Sequence, residues 1–195
     1  MKPLLSICIA TLPERKEQFD RLVAFLRSQG DHPVEIVSND AARGTMSVGA
    51  KRQWMNEQAT GDYIVHLDDD DWTSPTYIPD IIGAIGPGID CVSGYELVEG
   101  LTGMPQFAIW TNKASRWDHG AAARSMGVSY VRTPGHKTPL RATVARCVKY
   151  KDMGFGEDEE YSRALKLSKR VEREVFVGKV MQHYRYIHKG RDQYA

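Results

Sequence analysis

The chain has little cysteine, and what it has is scattered. Cys8, Cys91 and Cys147 are odd in number and far apart, with no Cys-x-x-Cys pair. That spacing argues against a disulfide scaffold and a structural zinc site, and for a reducing compartment. No run approaches the roughly 20 apolar residues that a membrane span needs. The formal net charge of +1 gives the chain as a whole no nucleic-acid or membrane signature. Internal repeats and low-complexity linkers are also missing. So is the Gly-rich phosphate loop that a nucleotidyltransferase normally carries after its first strand; Thr11-Leu12-Pro13-Glu14-Arg15 stands there instead. Leu4 to Ala10 is apolar but short, and Pro13-Glu14-Arg15-Lys16 follows at once, so it reads as a buried strand rather than a signal peptide. A soluble, cytoplasmic protein is expected.

What is present fits one α/β domain over residues 1–195, with 42% hydrophobic and 26% charged residues. Thr11 and Glu14 have the form of a capping box before a helix with Phe19, Leu22, Val23 and Leu26 on one face. Val34 to Val37 makes a second strand, and Ser47 caps a helix to about Ala59. Residues 76–85 suggest another helix. Cys91–Val98 and Gln106–Thr111 suggest an antiparallel hairpin. Val128–Arg132 reads as a strand and Thr138–Cys147 as a helix. A late helix has an inner face of Tyr161, Ala164, Leu165 and Ser168. Val171–Val177 and then Val180–His188 close the chain as strands, the latter at an edge. Parallel strand–helix units followed by a mixed half predict a sandwich whose mixed, mostly parallel central sheet is flanked by helices.

The densest chemistry is Tyr63-Ile64-Val65-His66-Leu67-Asp68-Asp69-Asp70-Asp71-Trp72, a buried strand running into four carboxylates. Adjacent aspartates repel one another unless a cation sits among them. The carboxyl end of a strand is also where open α/β sheets place ligands. Mg²⁺ or Mn²⁺ suits such oxygen ligands and completes its shell with substrate phosphates. Alternation pairs Asp68 with Asp70 on one face and Asp69 with Asp71 on the other. A Ca²⁺ loop counted from Asp68 fails, because Thr73 and Pro79 stand where Gly and Glu are required. On its own the run also suits a solvated loop.

Gly156-Glu157-Asp158-Glu159-Glu160 opens a helix, where carboxylates compensate the dipole and stay ionised, as a general base requires. Lys51 and Arg52 suit either a wet helix face or charge neutralisation at a diphosphate. His183 suits a metal shell or a plain surface position. From Lys113 to Lys151 the cations are Lys113, Arg116, Arg124, Arg132, Lys137, Arg141, Arg146, Lys149 and Lys151, against Asp118 alone. With Trp117, His119, Tyr130 and His136 interleaved, this stretch suits a solvated basic face or the grip on a polyanion.

In order, these features resemble the catalytic domain of glycosyltransferase family 2, of the GT-A fold. They are Thr-x-Pro-x-Arg after the first strand, an Asp after the second, a Lys/Arg helix, Asp-x-Asp-Asp, and a late Glu-Asp. The resemblance covers residues 4 to 187 and departs from the family at Gln53, where Asn is common. It implies that Thr11, Pro13, Arg15, Asp40, Lys51, Arg52, Asp68 and Asp69 bind the donor. Asp68, Asp70 and His183 would hold Mn²⁺ or Mg²⁺. Asp158 would be the base, with Glu157 beside it. The implied reaction moves a sugar, with inversion and most often from a UDP-sugar, to an acceptor hydroxyl. Trp117, His136, Lys137 and Arg141 are the expected acceptor contacts. The acceptor itself is open between cell-envelope or polysaccharide hydroxyls and DNA bearing a hydroxylated base, as in phage genome modification, where base flipping would expose the hydroxyl. A non-catalytic nucleotide-sugar-binding module would need the metal site but not Asp158.

Overall fold

In the computed structural model, which describes residues 2–100 and 104–185, the first apolar run forms β1 (Leu5–Ala10). A strand buried on both faces needs cover on both. Leu5, Ile7 and Ile9 pack against Leu22 and Leu26 of α1 (Lys16–Arg27), with Phe19 and Val23 beside them. Cys8 faces the other way, towards Met55 of α2 (Val48–Gln58). Between these helices β2 (Val34–Asn39) lies parallel to β1. Ser47 caps α2, its Oγ accepting the Ala50 N–H at 3.0 Å. A Cβ on Gly49 would lie 1.9 Å from the Lys151 carbonyl oxygen, so the start of α2 can sit this close to the 151–153 loop only with glycine there.

β3 (Tyr63–Asp68) is parallel to β1 on its other side, with Asp68 opposite Ala10. After it come β4 (Trp72–Thr73), α3 (Tyr77–Ala84), β5 (Cys91–Glu99) and β6 (Gln106–Trp110). Then follow α4 (Ala121–Ser125), β7 (Tyr130–Arg132), β8 (Leu140–Arg141), α5 (Ala142–Ala145), α6 (Glu157–Ser168) and β9 (Glu174–Arg185). The strands form one sheet in the order β2-β1-β3-β8-β5-β6-β7, with β9 paired to β5 and β4. Its first half is parallel. In the second half β5 runs antiparallel to β6 and β8, while β6–β7 and β5–β9 are parallel. The sheet is therefore mixed, with parallel pairing concentrated at the β2-β1-β3 side. No helix among the described residues is long and apolar enough to cross a membrane.

Three of the elements expected from the sequence take another form. Thr11 caps no helix: residues 13–15 form a 3-10 turn without a side-chain cap, and the Thr11 hydroxyl donates to Asp69 instead. The helix expected from Thr138 begins later, because Leu140 bridges Ile64 of β3 and Cys91 of β5 and the sheet captures that segment. The two closing strands are one, β9, which bulges against Ser93 and Tyr95 and lies between β4 and β5 rather than at an edge. Tyr186, Ile187 and His188 lie outside the described residues.

Candidate active site

β3 ends at Asp68 and the chain turns at once, the Asp71 N–H donating to the Asp68 carbonyl at 3.0 Å. The Asp71 carboxylate in turn accepts the Asp68 N–H at 2.9 Å, so the fourth aspartate builds the turn that presents the others. Accessibility alternates as the sequence implies. The side chains of Asp68 and Asp70 are 33% and 55% exposed, while those of Asp69 and Asp71 are 1% and 4% exposed.

The buried pair is held from the protein side. Asp69 accepts the Thr11 hydroxyl at 2.6 Å and pairs with Arg15 at 2.5 Å. Burial pushes its carboxyl up to about 6, with Thr11 and Arg15 acting against that rise. Asp71 meets Lys137 at 2.7 Å, and Lys137 also reaches Glu96 at 3.3 Å. Burial drives the Asp71 carboxyl upward against the pull of that ammonium. Lys137 stays charged despite its own burial, because two carboxylates face it. Asp69, expected to touch the donor, ties the β3 turn to the end of β1. Lys137, expected at the acceptor, is a buried counter-ion.

Arg15, from the 3-10 turn, spans Asp69 and Asp70, the latter at 2.7 Å. Lys51 and Arg52 are both buried rather than wet. Lys51 donates to the Thr11 carbonyl at 2.6 Å, and burial lowers its pKa against the field of Asp40 and Asp69. Arg52 donates to Asp68 at 2.7 Å and to Glu157 at 2.6 Å. One guanidinium therefore joins the acidic rim of β3 to the first turn of α6. Burial opposes its charge, and Asp68 and Glu157 overcome that opposition.

Gly156 enters α6 at φ 78°, a conformation that suits glycine. Glu157 turns inward onto Arg52, its carboxyl raised by burial. Asp158 turns outward, 26% exposed. One of its oxygens accepts the Glu159 N–H at 2.8 Å, and the other lies 3.9 Å from Nδ1 of His136. The two late acids thus divide into a buried one and an accessible one.

The remaining expected residues are dispersed. Asp40 is exposed just past β2, and Pro13 is exposed in the 3-10 turn. His183 sits opposite Trp72 in the β4–β9 pair and hydrogen-bonds Glu99 at 2.9 Å rather than Asp68 or Asp70. Among the described residues no group of three or more His, Cys, Asp or Glu could hold a metal. Arg141 lies at the far end of β3, opposite Tyr63, where its guanidinium donates to the Ile89 carbonyl at 2.5 Å. That places Arg141, expected at the acceptor, at the end of the strand away from Asp68. Trp117 is half-buried, with the Arg132 guanidinium 4.1 Å from its ring centre. The basic stretch is largely spoken for: Arg146 donates to the carbonyls of Asn56 and Ala59, and Lys151 pairs with Glu160. Lys113, Arg116 and Arg124 are exposed. The Trp110–Trp117–Tyr130 cluster around Arg132 carried no signal in the sequence beyond its aromatic content.

Residues 16–95 match the family model described as glycosyl transferase family 2. No curated protein matches the chain. Among solved structures, Staphylococcus aureus TarS 1–349 in complex with UDP-GlcNAc is similar, with a TM-score of 0.67 at 14% identity over 100% of this chain and 61% of that one. The structure of S. aureus TarS matches with a TM-score of 0.64 at 13% identity, over 95% of this chain and 37% of that one. The chain thus spans about three-fifths of TarS 1–349. At these identities the likeness is one of fold, and that fold is the GT-A glycosyltransferase sandwich.

Proposed function

We propose that the chain is a metal-dependent glycosyltransferase that moves a sugar from a nucleotide diphosphate, with UDP-sugars first among donors, to an acceptor hydroxyl. The observation that carries this reading is the shared guanidinium of Arg52, which holds a donor-side carboxylate and the helix turn bearing the base within one site. The family match over residues 16–95 and the GT-A fold support it.

Thr11, Pro13, Arg15 and Asp40 stand at the ends of β1 and β2, the edge where such sheets bind nucleotides. Asp70 and Asp68 fit a small hard cation, which takes one or two carboxylates and draws its other ligands from water and phosphate. When bound, Mg²⁺ or Mn²⁺ supplies positive charge against the departing nucleotide diphosphate. Arg15, already seated between Asp69 and Asp70, offers a second cation to the same phosphates. Asp158 accepts the proton of the incoming hydroxyl, which attacks the anomeric carbon opposite the leaving group and so inverts it. Glu157, buried on Arg52, positions that helix turn. The three cysteines are unpaired, consistent with catalysis in a reducing cytoplasm.

Testing UDP-GlcNAc and a panel of other nucleotide-sugars with Mn²⁺ and acceptor mixtures for release of free nucleotide checks the reading. Silence across the panel rejects it. Asp70→Ala is expected to abolish the Mn²⁺-dependent part of UDP binding in calorimetry, with little change in melting temperature because the side chain is exposed.

An anionic acceptor, hydroxymethylated DNA among the candidates, is the narrower reading. Exposed Lys113, Arg116 and Arg124, close in sequence to Trp117, favour it. Three phosphate contacts imply about a 40-fold loss of DNA affinity for a fourfold rise in salt. Salt-independent binding, or none, leaves envelope and polysaccharide hydroxyls as the acceptors.

A further inference from the structure

His136 belongs to the buried segment between β7 and β8, where every residue from Thr133 to Leu140 is buried. The segment is fastened on several sides. The His136 carbonyl accepts the His66 N–H at 2.8 Å, two residues before Asp68. A Cβ on Gly135 would meet Trp110 at 3.0 Å and Ser162 at 3.3 Å, so the backbone lies tight against α6. Ser162 also donates to the Pro134 carbonyl at 2.9 Å, and the next residue, Lys137, is anchored by Asp71 and Glu96. The ring meets Trp110 edge-on, with centroids 5.7 Å apart at 90°. An imidazole held this way cannot swing to find a partner.

Its Nδ1 nonetheless has no hydrogen bond, although it is buried. The carboxylate of Asp158 lies 3.9 Å away, about 1 Å beyond a charge-assisted hydrogen bond. A buried polar nitrogen without a partner needs a reason. Asp158 is the less enclosed member, a quarter exposed on the first turn of α6. Hydrogen bonds of catalytic groups are often long without substrate and tighten in the reacting complex.

We propose that His136 is a positioning residue for Asp158. Its Nδ1–H closes onto one carboxylate oxygen when acceptor binds and leaves the other aimed at the acceptor hydroxyl. This rests on the glycosyltransfer reading above. Burial, with Arg52 and Lys137 nearby, holds the imidazole well below its usual range, so it donates a hydrogen bond and does not take the proton onward. The acceptor's proton stays on Asp158 until product leaves.

The test compares His136→Leu, which removes the donor, with His136→Asn, whose side-chain N–H falls near the place of Nδ1. Loss of a hydrogen bond to a charged group predicts about a 10- to 100-fold lower kcat for His136→Leu. The donor KM should be unchanged, with most of kcat restored in His136→Asn. In an Asp158→Asn background His136→Leu should add nothing. Equal losses in both variants, or a loss that persists without Asp158, overturns the proposal. A readout independent of turnover is ¹⁵N NMR of the histidines in the wild-type chain. A neutral Nδ1–H tautomer for His136 is expected, and an Nε2–H tautomer with a bare Nδ1 overturns it. If the wild type releases no nucleotide from any sugar donor, the glycosyltransfer reading fails on its own account, whichever tautomer is found.

Discussion

Asp158→Asn is expected to lower turnover by about 10²- to 10⁴-fold while leaving the affinity for nucleotide unchanged. The amide keeps the shape of the side chain and its contact with the Glu159 N–H, but cannot accept the proton of an attacking hydroxyl. The choice of Asp158 over Glu157 rests on where each carboxylate points. Glu157 is buried and pairs with Arg52 at 2.6 Å, so its carboxylate is turned away from an acceptor arriving from solvent. Glu157→Gln should therefore act through stability and helix position, lowering melting temperature as well as rate. Calorimetric binding of UDP with Mn²⁺, set beside steady-state nucleotide release, separates the two. If Asp158→Asn turns over like wild type, Asp158 leaves the mechanism. If it loses nucleotide affinity as well, its role lies in the donor site.

Much of the scaffold was legible because its signals are local. The face of Phe19, Leu22, Val23 and Leu26, the Ser47 cap and the apolar run into Asp68 all appear where spacing puts them. The charged residues were harder, because a lysine or arginine on a helix reads as wet unless its partners can be seen. Those partners are remote: Arg52 meets Glu157 from 105 positions away, and Lys137 meets Asp71 from 66. The same blindness made the basic stretch look like one surface. Arg141 and Arg146 spend their donors on the carbonyls of Ile89, Asn56 and Ala59, which no charge count reveals. Residues 133–139 show a different limit. Proline and glycine there suggest an exposed loop, yet Ser162, Trp110 and Gln182 close over the segment and make it the strut between β3 and α6.

Arg52→Met should be the most damaging single change in the site. Two carboxylates, one of them buried, would lose the cation they share, and stranding a buried charge costs about 3–5 kcal/mol. For a chain of this length that amounts to a drop of roughly 6–20 °C in melting temperature. Arg52→Lys should recover little, since one ammonium cannot present two parallel donors to Asp68 and Glu157. The decisive comparison adds Glu157→Gln and Asp68→Asn to Arg52→Met. If electrostatics sets the loss, neutralising the stranded carboxylates returns most of the stability, because an apolar replacement of a whole buried ion cluster is often tolerated. If packing of the α2–α6 contact sets it, the triple variant stays as unstable as the single one. Turnover should not return in either case. Without Asp68 the donor loses a contact, and without Arg52 the turn carrying Asp158 loses its ion-pair tie to the rim of β3.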